Sequence, residues 1–128
     1  MDRNGRTPIA NLIADYLMQI ADWRRMRFED DLRDRRNLVS AEGIRDLAGH
    51  IRALPDDDPR LARLDHLWRR GESIEVGQQA AYEIGRFRFF APATTFEAFL
   101  DDIVGLAEAD RGEAGRFGGR QVPGDEPW

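Results

Sequence analysis

The chain has 128 residues, of which 41% are apolar and 34% charged, with a formal net charge of −5. A chain of this size closes one core without disulfide or metal staples, and the composition is too apolar for a disordered polyampholyte and too interrupted by charge to cross a bilayer. Cysteine is absent and all 19 basic residues are Arg, which removes disulfide scaffolds, zinc ribbons, thiolate nucleophiles, Schiff-base lysines and the phosphate-loop lysine.

Thr7 followed by Pro8 reads as an N-cap and a first helical position. Ile9, Leu12, Ile13, Tyr16, Leu17, Ile20 and Trp23 then recur at the spacing of one helical face. With no breaker before about Asn37, the pattern predicts one long first helix. Ser40 reads as the N-cap of a second helix with the stripe Ile44, Leu47, Ala48, Ile51 and Leu54, ended by Pro55. Asp58-Pro59 opens a third helix bearing Leu61, Leu64, Leu67 and Trp68, with Gly71 expected as its left-handed stop.

A fourth helix is expected from about Ser73, with Val76, Ala80, Ile84 and Phe87 on one side. Gly77, Ala81 and Gly85 fall on an adjacent side, where a neighbouring backbone could come close. Ala91-Pro92 interrupts it, and Thr94 with Glu97 forms a capping box for a fifth helix carrying Phe96, Phe99, Leu100, Ile103, Val104 and Leu106. No segment alternates over enough residues to predict a sheet. The expected fold is therefore all-α: a bundle-like single domain of five helices over residues 1–110 with a long N-terminal helix, followed by a flexible Gly-rich tail over 111–128.

Charge is unevenly placed. Residues 23–70 carry twelve Arg and ten acids, whereas residues 71–128 carry five Arg and eleven acids. Five of the seven Phe lie between Phe87 and Phe99, interleaved with Arg86 and Arg88. Such a corner resembles a base-stacking platform, but the acidity of that half of the chain argues against nucleic acid, and aromatic clusters at helix corners ordinarily belong to the core.

Asp15, Asp22 and Glu29 repeat every seven residues opposite the apolar stripe and read as a solvated face rather than a carboxylate row for a metal. Beyond Trp23 the core-facing stripe is continued by Arg24, Arg27, Asp31, Asp34 and Arg35. Ionised groups pointing where the first half points Ile and Tyr suit a helix projecting into water, an interface with a second copy or another protein, or an anion pocket built on Arg24 and Arg27. Glu83, near the apolar stripe of the fourth helix, is expected to pair with Arg24 or Arg27. His50 is expected to pair with Asp46 and His66 to face solvent, and neither spacing suggests a metal site.

The paired acids that hold magnesium in all-α nucleotide pyrophosphohydrolases are not matched. Glu72 and Glu75 are followed by Glu97 and Asp101, one residue too far apart and turned outward. The expected function is a non-enzymatic helical module for protein–protein interaction or self-association, using Arg24, Arg27, Asp31, Asp34 and Glu83. The alternative is a small all-α hydrolase or binding domain for an anionic, perhaps nucleotide-like ligand. No cofactor is expected; the partner is the chain itself as a homodimer or another protein, and the compartment is the cytoplasm, because no apolar h-region follows a basic start.

Overall fold

A computed structural model describes residues 7–88 and 95–117. In chain order the elements are α1 (Ile9–Asp30), α2 (Arg35–Arg52), α3 (Pro59–Trp68), β1 (Arg69–Arg70), β2 (Ser73–Ile74), α4 (Gln78–Gly85) and α5 (Phe96–Phe117). The fold is all-α, with five helices among the described residues. Both α1 and α5 have 22 residues, about 33 Å each at 1.5 Å per residue. They enclose a core centred on Leu17, Ile44, Leu47, Ile51, Leu61, Leu64, Ile84 and Leu100, all at most 2% exposed.

The first helix does not run to Asn37. It stops at Asp30 because Asp31 turns to extended backbone, and its N–H reaches back to the Arg27 and Phe28 carbonyls. The Asp31 carboxylate accepts from its own chain two residues on, at Arg33 N (3.1 Å). Asp34 then caps α2 by accepting from Arg36 N at 3.2 Å. Each Asp offers the backbone a local alternative to the helical ladder, which is how this residue type makes turns. Ser40 is accordingly no cap. It lies inside α2, fully buried, and its hydroxyl donates to the Phe87 carbonyl at 2.7 Å.

Helices α1 and α2 form an antiparallel hairpin. Asp15 meets Arg52 at 3.0 Å and Asp22 meets Arg45 at 3.8 Å, so seven-residue spacing on one helix is answered by seven-residue spacing on the other. The acids are exposed as expected from the helical wheel, but they line the seam with α2. At this exposure such pairs contribute a few tenths of a kcal/mol each, and the hairpin is held by its apolar faces.

Asp58 and Pro59 start α3 as expected, with Asp58 accepting from Arg60 N at 2.9 Å. The helix ends at Trp68, however, and the chain turns into a two-stranded hairpin that pairs Arg69 with Ile74 and Arg70 with Ser73. Gly71 takes φ +66 as the first of two central residues, the position where a tight hairpin turn needs a residue without Cβ. This hairpin displaces the expected start of α4 from Ser73 to Gln78. Arg69 fastens it to the rest of the molecule by donating to Asp65 Oδ1 and to the Thr7 carbonyl. Thr7, expected to cap α1, gives its hydroxyl to Glu72 Oε1 at 2.8 Å instead.

The N-cap of α4, Gly77, has no side chain to satisfy the first turn. Asp110 of α5 does so, accepting from Gln79 N at 2.9 Å and Ala80 N at 3.1 Å. A Cβ on Gly77 would overlap the Asp110 side chain. What approaches this glycine is thus a carboxylate rather than a neighbouring backbone. Thr95 caps α5 by accepting from Ala98 N at 3.1 Å; Thr94, expected in that role, lies outside the described residues. The helix continues past Asp110 to Phe117, so 111–117 of the expected tail are helical. Residues 118–128 lie outside the described residues.

Where α2 ends and α3 and α5 begin, His50 Nε2 lies 2.7 Å from Glu97 Oε2, in place of the expected Asp46 partner. Arg60 bridges Asp58 at 3.3 Å and Glu97 at 2.5 Å. Hydrogen bonds from Arg60 hold the Glu97 and Asp58 carboxyls below their usual range, with His50 adding to the effect on Glu97. Depressed carboxyl values mean that the unfolded chain binds these protons more readily. Their stabilisation is therefore complete above the unfolded values near 4 and is lost as pH falls through the lower folded ones. Urea midpoints measured over an acid series should fall more steeply for the parent than for Glu97→Gln.

Candidate functional site

The five residues singled out by sequence do not assemble into one site. Arg24 sits on the inward face of α1, as the spacing required, and is 4% exposed. Its Nε donates to the Gly85 carbonyl at 3.0 Å, its Nη2 donates to the same oxygen, and its Nη1 donates to Asn37 Oδ1 at 3.0 Å. A cation at the C-terminus of α4 meets carbonyls left without helical partners. Burial, followed by the nearby Arg27 charge, pushes the Arg24 guanidinium down to about 10, with Asp34 opposing. It therefore remains protonated at neutral pH.

Asn37 continues the chain of contacts by donating Nδ2 to Asp34 Oδ2 at 3.3 Å. Asp34 thus caps α2 and anchors Asn37 together, and its carboxyl is held low first by the hydrogen bond from the Arg36 side chain. Asp31 is engaged in its own turn and pairs with Arg33 at 3.3 Å. Glu83 pairs with neither Arg24 nor Arg27; its carboxylate lies 3.7 Å from Arg86, the C-cap of α4. Of the five, Arg27 and Asp31 are exposed, and the Arg27 guanidinium lies 5.4 Å from the centre of the Trp23 ring.

The spacing of α1 predicts Trp23 as part of the core stripe. Trp23 is 39% exposed, and Arg24 takes the inward place beside it. At 100° per residue Arg24 continues the line of Ile13, Leu17 and Ala21, whereas Trp23 turns away to one flank. Three more large apolar side chains share its exposure: Met26 at 62%, Leu32 at 65% and Val39 at 43%. The position of α2, which starts five residues before Ser40, is what brings Val39 to the same end of the hairpin as Met26 and Leu32. A helix running unbroken to Asn37 would place Met26 and Val39 far from each other, so the sequence pattern alone does not show this arrangement.

The surface at this end is flanked by charge of both signs. Arg25 and Glu29 are 3.9 Å apart, and Arg36 pairs with Asp34 at 3.1 Å. Among the described residues, Arg27 and Arg35 have no carboxylate within ion-pair distance and Asp30 has no cation.

Other places offer less. The Phe corner is largely interior: Phe87 and Phe99 are buried with ring centres 4.3 Å apart, and Arg88 lies over Phe87 and Phe96. Phe89 and Phe90 lie outside the described residues. An open groove of about 610 Å³ is lined by Asp65, His66, Arg69 and Glu72. Its Arg69 is nonetheless committed to Asp65, to Thr7 and to the Gly71 carbonyl, and its Glu72 to Thr7. Among the described residues no group of three or more His, Cys, Asp or Glu is placed to hold a metal, and no helix is long and apolar enough to cross a membrane.

Comparison with protein-family models, with curated proteins and with solved structures finds no match to this chain.

Proposed function

We propose that the chain is a non-enzymatic protein-interaction module that docks through the tip of the α1–α2 hairpin. The observation that carries this reading is that the four large apolar side chains that stand exposed among the described residues, Trp23, Met26, Leu32 and Val39, all come from the C-terminal turns of α1, the turn that follows it and the first turns of α2. Single exposed apolar side chains need no explanation. Four at one end of the hairpin, an aromatic and a Met among them and ionised groups nearby in the chain, have the composition of an interface. An anion pocket built on Arg24 and Arg27 draws less support, because the Arg24 donors are already taken up by Gly85 and Asn37.

A photo-crosslinking amino acid placed at Met26 should capture protein in cells at a level well above the same group placed at His66, which lies on the exposed side of α3. Equal or absent capture at position 26 would remove the reading.

A further inference from the structure

Resting on that reading, we infer that the occupant of the tip is a second copy of this chain, with α1 packed antiparallel on α1 across a two-fold axis so that Arg27 of each copy meets Asp30 of the other. Trp23, Met26, Arg27 and Asp30 follow one another at three, four and seven residues, the spacing of a single helical face, and all four are exposed. Around them, Arg25 pairs with Glu29, Arg33 with Asp31 and Arg36 with Asp34 inside the chain. On the α1 face itself, Arg27 and Asp30 are left with opposite charges one turn apart and no ion-pair partner among the described residues, while the other unpaired cation of the tip, Arg35, opens α2.

The α1 face, with its one unpaired cation and one unpaired anion, is complementary to itself. A two-fold axis passing between the two positions satisfies both charges, and does so twice per dimer. A partner of single-signed charge satisfies one and repels the other. Stacking on Trp23 fixes the Arg27 guanidinium while its N–H edges stay available to a carboxylate.

The contact is small. Large side chains bury ~150–250 Å² each when wholly covered, and four partly exposed ones fall short of the ~800 Å² per partner of a standard interface. The dimer is accordingly weak and reversible, and the full-length chain has to be followed over concentration, from ~1 μM to ~1 mM.

Sedimentation equilibrium should show the mass rising with concentration from 14.7 kDa towards twice that value. Arg27→Asp and Asp30→Arg should each weaken dimerisation about a hundredfold, because each sets like charges together twice across the axis. The double variant Arg27→Asp/Asp30→Arg, which restores opposite charges in the same register, should return to within about tenfold of the parent. Both positions are exposed and unpaired, so helicity by circular dichroism should be unchanged in all three variants. A parent that stays monomeric at ~1 mM, or a double variant no better than the single ones, overturns the inference. A monomeric parent whose Met26 crosslinker still captures a different protein overturns the second copy and leaves the interaction module standing; absence of capture overturns both.

Discussion

Arg24→Ala should cost about 3–4 kcal/mol of folding stability, read as a lower urea midpoint with an unchanged denaturant slope. The guanidinium gives three hydrogen bonds in a site that is 4% exposed, two to the last carbonyl of α4 and one to Asn37. Truncation leaves the Gly85 carbonyl and the Asn37 oxygen buried without donors, and orphaned buried groups cost about 1–3 kcal/mol each. Arg24→Met separates packing from bonding: the apolar stem stays, the donors go, and a loss of about 2–3 kcal/mol should remain. Arg24→Lys should fall between the parent and Met, since a single ammonium cannot reproduce the fork that serves Gly85 and Asn37 together. A cost under about 1 kcal/mol for Arg24→Ala would mean that these bonds are exchanged for water without penalty.

Gly77→Ala should cost about 2–4 kcal/mol, an unusual penalty for a substitution that normally stabilises an ordinary backbone conformation. Gly77 has φ −68 and ψ 167, which alanine adopts without strain. The penalty comes entirely from Asp110, whose side chain occupies the space of the new Cβ and has to abandon the Gln79 and Ala80 amides. Loss of an N-cap accounts for about 0.5–2 kcal/mol and forced repacking for the rest. Asp110→Ala alone should cost about 1–2 kcal/mol. In that background Gly77→Ala should become neutral or mildly stabilising, and the sign change in a double-mutant cycle is the diagnostic result. If the two penalties simply add, the overlap is not what keeps glycine at this position.

The apolar stripes of α2, α3 and α5 were legible because a period of 3.6 residues is a property of each segment alone. Arg24 was legible in the same way: the spacing set it on the inward face, although it could not say that the end of another helix would be there to receive it. The break at Asp30 was not legible, because Asp31 and Asp34 act through side-chain bonds to backbone that compete only narrowly with continued helix. Ser40 as a cap and one helical face extended through Arg35 both depend on that single break. The hairpin after Trp68 escaped because two residues per strand are too few to show alternation, and Gly71 satisfies a helix stop as well as a tight turn. Asp110 as the cap of α4 joins residues 30 apart and left no local pattern.

Eight residues are fewer than the dozen or so that an isolated helix needs to persist in water, and α4 is eight residues long. Its amides are received by a neighbour at one end and its final carbonyl by another neighbour at the other. Its order is conditional on both neighbours being docked. When α5 lifts at Asp110, or α1 withdraws at Arg24, this segment has no means of staying wound, so its amide protons should exchange with solvent at the rate of those openings rather than at a rate of their own.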